Sequence, residues 1–420
     1  AYQSRQEALA QRQVAQDKQK EAEEQRQIAQ VELKKAEEVS NFVGNIFNAV
    51  KPENLGQLRD EKGGKFDAGD TGLLKAVLDE GAKNIEKLKD QPEVEAKIRS
   101  ILGRTYLSLG EFNVAVDHFE KVLAINIKLY GEDHLSVAGA YSNVGEVYIL
   151  GQGKEVREKG LEYFEKALDI NIKQLGPDHS NTAAAYSKLA HVHHNMGKLD
   201  KALEYFKKAQ AINGKLLDPD HPTMADHHSS IGSVLFSKGE NDNALKSFHK
   251  ALAIKLKSVE EDDVSLIDLN RFMGGVLSKK GEYDKALEYY QKSLAGKLKL
   301  YPGENHFPIG VTYHYIGMLH VSKGEHEKAL ENFQKALAIF HNKLNPDHPQ
   351  TVTCYQYIGY CYYLLDKPLE AKENWQKSAL LGDAKAQGNL GGLYALQEGF
   401  INQVEAYKWY TIAVANGNSS

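Results

Sequence analysis

The chain has 420 residues, of which 42% are hydrophobic and 26% are charged, and it contains only ten prolines. This composition is typical of a helical protein and contains no apolar run long enough to span a membrane. With 52 basic and 57 acidic residues the formal net charge is −5, so the overall charge does not favour a nucleic-acid partner.

The first 50 residues carry alanine at every seventh position among many charged side chains. The alanines keep this period from Ala1 to Ala36, so we predict one long helix over residues 1 to about 38. The helix lacks a good second row of apolar residues, so this segment is either a solvated connector helix or a weak coiled coil. We therefore expect a monomer or a weak dimer. Because the chain begins without Met or a signal peptide and has two cysteines, we expect a cytoplasmic fragment of a longer protein.

An apolar stripe at helical spacing follows this helix and needs a surface to pack against. The nearest candidate is a leading hairpin that we place at residues 71–89 together with the helix from Pro92. A loop or linker over residues 51–70 is predicted to separate the stripe from that hairpin. The stripe consists of Val39, Phe42, Val43, Ile46, Phe47 and Val50.

From residue 71 to residue 381 a unit of about 42 residues recurs. In each unit a small residue precedes a second small residue, alanine in six units and Gly160 in the other, which is followed by an aromatic residue. Two small residues let two helices approach closely, and the aromatic side chain fills the gap beside them. Each unit therefore predicts a helical hairpin. The small and aromatic residues pair as Gly103 and Phe119, Gly145 and Phe164, Ala190 and Phe206, Gly232 and Phe248, Gly274 and Tyr290, Gly317 and Phe333, and Gly359 and Trp375.

Two kinds of turn separate the predicted helices. A glycine such as Gly239 or Gly324 suits the left-handed residue that ends the first helix of a hairpin. Between hairpins an Asp-His linker recurs, in which Asp or its neighbour can cap the next helix. Asp263 replaces the histidine in one linker, and Lys367-Pro368 replaces the glycine turn in one hairpin. Because the linker histidines recur once per repeat, we interpret them as turn elements: His134, His179, His221, His306 and His348.

These residues resemble the tetratricopeptide repeat, and the Asp-His-Pro linker, together with Ala-Leu-x-Ile at the end of the second helix, is similar to the kinesin light chain type. The resemblance implies an all-α fold, a right-handed α-solenoid of about seven stacked hairpins preceded by the long N-terminal helix. Residues 382–420 are similar to a Sel1-like repeat, which we expect to cap the array. The N-terminal segment resembles the linker of bacterial kinases and signalling ATPases that carry such repeats.

No motif supports catalysis. His191, His193 and His194 with His227 and His228 could gather around a metal, but no Cys, Asp or Glu completes a ligand spacing, so a packing or groove role is favoured. A phosphate-binding loop, a nucleophile elbow and kinase loops are missing from the sequence. We therefore expect no enzymatic activity, no cofactor and no metal.

Function is expected to lie in the surface instead. The resemblance to kinesin light chains implies a concave groove that binds a protein or peptide partner. We predict that hydrogen bonds to the partner come from Arg104, Asn143, His191, His194, Arg271 and His314, and aromatic pockets from Phe236, Tyr360 and Tyr363.

Since arginine pairs with carboxylates and aromatic anchors carry much binding energy, acidic-aromatic peptides are the expected ligands. Arg271 and His314 come from adjacent repeats and are predicted to grip one carboxylate. An alternative function is a sensor or regulatory arm of a larger bacterial signalling or defence protein, a kinase or a STAND-type ATPase, whose effector lies before Ala1.

Overall fold

A computed structural model describes residues 90–151, 154–259, 263–301, 303, 305–344 and 347–417, together with residues 18–20, 22–23, 25–27, 29–40 and 44 and single positions or pairs between 75 and 88. The predictions for residues 1–17, for most of the apolar stripe and for the linker over residues 51–70 lie outside the described residues. Within the described part all regular structure is helical, which confirms the all-α class. None of the helices described there is long and apolar enough to cross a membrane.

The described residues form two compact units, one within Ala1–Val192 and the other within His193–Ser420. The first unit contains residues 29–40 as a helix, followed by α1 (Pro92–Ser108), α2 (Phe112–Tyr130), α3 (Leu135–Leu150) and α4 (Lys154–Leu175). The boundary falls within α5 (Ser180–Asn195).

The second unit continues with paired helices joined by short turns. It contains α6 (Leu199–Leu216), α7 (Pro222–Ser237), α8 (Asn241–Lys255), a 3₁₀ turn (Val264–Leu266), α9 (Ile267–Lys279), α10 (Tyr283–Leu300), α11 (Phe307–Ser322), α12 (His326–Lys343), α13 (Pro349–Leu364), α14 (Pro368–Leu380), α15 (Ala384–Leu396) and α16 (Gln403–Ala415).

Close approach between the small residue and the predicted ring is confirmed at Gly103, Gly232, Gly274, Gly317 and Gly359. A Cβ atom added to Gly103 on α1 would lie 2.7 Å from the ring of Phe119 on α2, and one added to Gly317 on α11 would lie 2.9 Å from the ring of Phe333 on α12. Both distances are shorter than van der Waals contact, so a methyl group would collide with the ring. These two pairs therefore meet because the glycine has no side chain.

The core of the first unit includes the helix that precedes the repeats. Val39 packs against a buried cluster that contains Ile85, Leu102 and Phe119. An ion pair between Lys35 and Glu93 joins the same helix to α1. The leading helix is thus attached to the first hairpin by both apolar and charged contacts.

Left-handed backbone ends the first helix of most hairpins. Gly239 and Gly324 have φ angles of 81° and 76°, as predicted from their position. In the hairpin with Lys367-Pro368 in place of Gly-Glu, Asp366 adopts this conformation with φ 55°. A Cβ atom makes that conformation costly, by about 1 to 2 kcal/mol, so this turn is strained relative to its glycine counterparts.

The linker histidines cap the helices that follow them. The Nδ1 atom of His221 accepts the backbone N–H of Thr223 at 3.2 Å, and Nδ1 of His348 accepts that of Gln350 at 3.2 Å. Asp263, which replaces a linker histidine, accepts the N–H of Ser265 at 2.7 Å. At these positions the histidine that follows the linker aspartate therefore caps the next helix, and a carboxylate can make the same contact in place of the histidine. The same contact occurs at His134 and His179, whereas His306 makes no cap and stacks on Tyr301.

A periodic series of ion pairs links successive repeats of the second unit. In each pair a lysine at the end of a first helix reaches an aspartate in the first turn of the second helix of the preceding hairpin. Because the pairs are exposed, each contributes only about 0 to 1 kcal/mol, but their repetition favours one register between neighbours. They are Lys238 with Asp200, Lys280 with Asp242, and Lys323 with Asp284.

The terminal hairpin packs by the same rule as the repeats. A Cβ atom on Gly391 would lie 2.7 Å from the ring of Tyr410, and Trp409 is buried. Other apolar residues of α16, namely Val404, Tyr407 and Val414, are largely exposed. The expected cap therefore presents an apolar surface, where a terminal repeat usually presents a polar one.

Candidate partner-binding site

A cleft on the first unit brings together two of the predicted partner-binding residues. Arg104 on α1 is exposed and Asn143 on α3 is half-buried, and both line a cavity of about 280 Å³. Small residues such as Gly139 and Ala185 leave room for a ligand between the helices. The polar lining residues are Arg104, Ser142, Asn143, Asn171, Asn181 and Lys188.

The cleft has a positive electrostatic character. Arg104 and Lys188 supply two cations, and none of the lining residues carries a carboxylate. Within the described part of the chain Arg104 forms no ion pair, and the ammonium of Lys188 lies 5.7 Å from the ring centre of Phe164. Both charges are therefore available to an acidic ligand.

The asparagines of the cleft can pair with a peptide backbone. A carboxamide both donates and accepts hydrogen bonds, which matches the alternating N–H and C=O groups of an extended chain. Asn143 comes from α3, Asn171 from the last turns of α4, and Asn181 from the first turn of α5. Three helices thus present the same chemical group along one cleft.

Sequence reasoning missed three of these residues. Lys188 and Asn181 lie on α5 and are not among the residues predicted from the sequence to bind a partner. A signal for Asn171 was present, because Ile-Asn recurs near the end of the second helix at Asn126, Asn171 and Asn213. The side chain of Asn126 donates to the backbone oxygen of Ser136 at 3.0 Å, so the recurrence also has structural uses.

The other predicted residues of α5 and α7 have mixed surroundings. His191 is exposed on α5. In the second unit Nε2 of His194 lies 2.9 Å from the hydroxyl of Ser237, and burial lowers the pKa of His194. Phe236 is half-buried, and a Cβ atom on Gly275 would lie 3.6 Å from its ring.

The predicted grip of Arg271 and His314 on one carboxylate does not fit the structure. His314 is only 6% exposed, and its Nδ1 atom lies 3.3 Å from Sγ of Cys354. Arg271 is already engaged by Asp268 at 3.3 Å and lies over the ring of Phe272. His314 is therefore buried between α11, α12 and α13, and the guanidinium of Arg271 is already paired with the carboxylate of Asp268.

The remaining predicted aromatic residues lie on α13. Tyr363 is partly exposed, with its ring centre 5.5 Å from that of Trp375. Tyr360 is half-buried and lines a separate cavity of the second unit. That cavity involves the terminal hairpin and is distinct in its residues from the cleft at Arg104.

The histidines considered as metal ligands have other surroundings. His193 is buried and stacks on Tyr205 with ring centres 5.4 Å apart. Nε2 of His227 lies 2.9 Å from the amide nitrogen of Asn213. Among the residues that the structure describes, no group of three or more His, Cys, Asp or Glu side chains could hold a metal ion.

Comparison with known families agrees with the hairpin geometry. The tetratricopeptide repeat family matches residues 94–157, 157–215, 181–257, 223–299 and 308–379. The chain therefore belongs to the tetratricopeptide repeat family. No curated protein matches it as a relative.

Several solved structures are similar in fold. BtubC (BKLC) from P. vanneervenii is 18% identical, with 53% of this chain and 90% of that chain covered and a TM-score of 0.46. A putative kinesin light chain from Podosopora anserina with nearly identical TPR-like repeats is 18% identical, covering 48% and 96%, with a TM-score of 0.43. Pseudomonas aeruginosa pilF is 19% identical, covering 58% and 95%, with a TM-score of 0.43. At these identities the likeness concerns the fold alone.

Proposed function

We propose that this chain is a non-enzymatic interaction module that binds a peptide segment of a partner protein in the cleft at Arg104 and Asn143. The observation that carries the proposal is the composition of the cleft, which combines two cations and three carboxamides without a carboxylate. An extended acidic segment matches both features. Its backbone pairs with the asparagines, and its carboxylates pair with Arg104 and Lys188.

Acidic-aromatic segments are the preferred class of ligand in this proposal. Arg104 can bind a carboxylate through two parallel hydrogen bonds, which a single lysine cannot do. Gly139, which has no side chain, and Ala184 are exposed next to these charges, and an aromatic side chain can pack against them.

The proposal is tested by selecting peptides from a random displayed library on the immobilised full chain. Affinities of the selected peptides are then measured by fluorescence polarisation. Arg104→Glu should weaken binding by at least about tenfold, or about 1.4 kcal/mol. Lys128→Glu is the matched control, because Lys128 is an exposed lysine of α2 that does not line the cleft, and it should leave affinity unchanged. Peptides that bind both variants equally well would refute the cleft as the binding site.

The regulatory arm of a larger signalling protein remains the second candidate. It is favoured by the attachment of the helix at residues 29–40 to α1, through Lys35 with Glu93 and Glu32 with Lys97. A domain placed before that helix would be coupled mechanically to the first hairpin. The reading frame upstream of Ala1 tests this proposal. If an effector is encoded there, Glu93→Lys should change the activity of that effector. An unchanged activity would contradict the coupling.

A further inference from the structure

The terminal hairpin carries an apolar surface that the rest of the array does not have. The six most exposed large hydrophobic side chains of the described residues all lie between residues 380 and 414, and each is at least 66% exposed. An exposed apolar surface of this kind marks a contact with another molecule. The six residues are Leu380, Leu396, Ile401, Val404, Tyr407 and Val414.

The second helices of two repeats show what such a surface normally contacts. On α12, Leu330 and Leu337 lie three residues before and four residues after Phe333. Both pack against a buried cluster that contains Ile358 and Cys361 of α13. Leucines at the same two positions of α10 pack against a cluster that contains residues of α11. These two positions therefore form the contact between a hairpin and the next one along the chain.

On α16 the same two positions are occupied by Tyr407 and Val414, counted from Tyr410. Tyr410 is the equivalent ring, because it lies against Gly391 as Phe333 lies against its own glycine. Tyr407 and Val414 are 76% and 68% exposed, whereas the leucines of α10 and α12 are half-buried. The described part of the chain thus leaves this contact surface of α16 open.

The spacing of residues on this surface is suited to a second copy of the same helix. Val404, Tyr407, Thr411 and Val414, which we call the α16 stripe, lie three, four and three residues apart, so the spacing is the same in both directions. None of the four is charged. The hydroxyl of Thr411 donates to the backbone oxygen of Tyr407 at 2.8 Å, so burial of the stripe would leave no charge and no threonine hydroxyl unpaired.

We propose that the chain forms a two-fold dimer in which the α16 stripes of two copies pack antiparallel. In this register Val404 faces Val414 of the partner subunit, and Tyr407 faces Thr411 of the partner subunit. Helices joined by short turns also run antiparallel, so each α16 takes the place that the first helix of a following hairpin would have. Because both copies use the same surface, the interface closes on itself and does not build a filament.

The charges of α16 are compatible with this arrangement. Glu405 and Lys408 pair with each other at 3.2 Å, and at about 100° per residue both project to one side of the stripe. Each copy has a formal net charge of −5, so two copies repel one another and salt screens that repulsion. Added salt should therefore strengthen the dimer, whereas an interface held by ion pairs would weaken.

The test is sedimentation velocity of the full chain across a dilution series. The wild-type chain should change from a species of twice the monomer mass to a monomer on dilution. Tyr407→Glu should raise the dissociation constant at least about tenfold, or about 1.4 kcal/mol. Leu216→Glu is the matched control, because Leu216 is an exposed apolar residue at the end of α6, and it should leave the dimer unchanged. A wild-type chain that stays monomeric, or a dimer that Tyr407→Glu does not weaken, refutes the proposal.

A pair of opposite charges makes the result independent of folding defects. In the proposed register the two copies of residue 407 lie about 6 Å apart along the helix axis, so Tyr407→Glu and Tyr407→Lys should each repel themselves. An equal mixture of the two variants should associate again, because opposite charges then face each other. Circular dichroism should show the wild-type helix content in both. Failure of the mixture to associate would overturn the antiparallel packing.

Engineered cysteines test the register of the two helices. The native Cys354 and Cys361 are buried, so they should not react. Under mild oxidation, a mixture of Val404→Cys and Val414→Cys should form a disulfide between the two different chains faster than either variant links to itself. If Val404→Cys alone links to itself more readily, the two helices are parallel and the proposed dimer is wrong.

Discussion

Acidification should loosen the packing around α11, because a histidine is buried there without a counter-charge. Burial lowers the pKa of His314 to about 4, whereas an unfolded histidine titrates near 6.5. The rings of Phe333 and Tyr357 pack against His314. Burial raises the pKa of the neighbouring Cys354 thiol to about 12, so this thiol is neutral. Between pH 6.5 and pH 4 the unfolded state therefore binds a proton that the folded state excludes.

The sign and size of the effect follow from proton linkage. Because the unfolded state binds more protons in this window, the free energy of unfolding falls as the pH falls. A difference between about 6.5 and about 4 corresponds to about 3 kcal/mol at pH 4 and below, at about 1.4 kcal/mol per pH unit. From pH 7 to pH 5 the expected loss is about 2 kcal/mol.

Hydrogen exchange measures this loss locally, which suits a repeat protein whose units open separately. The opening free energy of α11 and α13 should fall by about 2 kcal/mol from pH 7 to pH 5 in the wild-type chain. In His314→Phe it should fall much less, because the aromatic surroundings accept a neutral ring. Other titratable groups of α11, such as His320 beside Glu325, are common to both chains and cancel. Equal losses in the two proteins would refute the assignment to His314.

The remaining predictions concern caps, turns and close packing. His221→Ala should destabilise the start of α7 by about 1 kcal/mol. His221→Asp should preserve stability, because Asp263 makes the same contact in its own linker. Chemical denaturation of the two variants measures the difference. Asp366→Gly should raise the free energy of unfolding by about 1 kcal/mol by relieving a left-handed φ of 55°, and no gain would contradict strain at that turn. Gly317→Ala should lower the free energy of unfolding by about 1 to 3 kcal/mol, because the new methyl group collides with a buried ring. Gly275→Ala should be neutral or stabilising, because its Cβ would meet the nearest neighbour at 3.5 Å. Similar effects of the two alanines on the melting temperature would show that close packing is not what requires Gly317.

Local sequence patterns determined most of the fold. The pairing of Gly317 with Phe333 was predictable, because a small residue and an aromatic residue at a constant spacing have one simple packing solution in a helical hairpin. The glycine turns and the histidine linkers were predictable for a similar reason, since a left-handed residue and a helix cap act within a few residues. Of the residues predicted from the sequence to bind a partner, Arg104 and Asn143 both line the cleft of the first unit.

Only the tertiary structure decided which side chains remain available to a partner. His314 and Arg104 are both polar residues on first helices, yet the packing of α13 over α11 buries the first and leaves the second exposed. Lys188 joins Arg104 in one cleft although 84 positions separate them in the sequence. Each residue turns the helix by about 100°, so an error of one position in a helix boundary moves a side chain from the surface to the core. Exposure and charge pairing therefore depend on contacts between helices, which periodicity within one repeat does not contain.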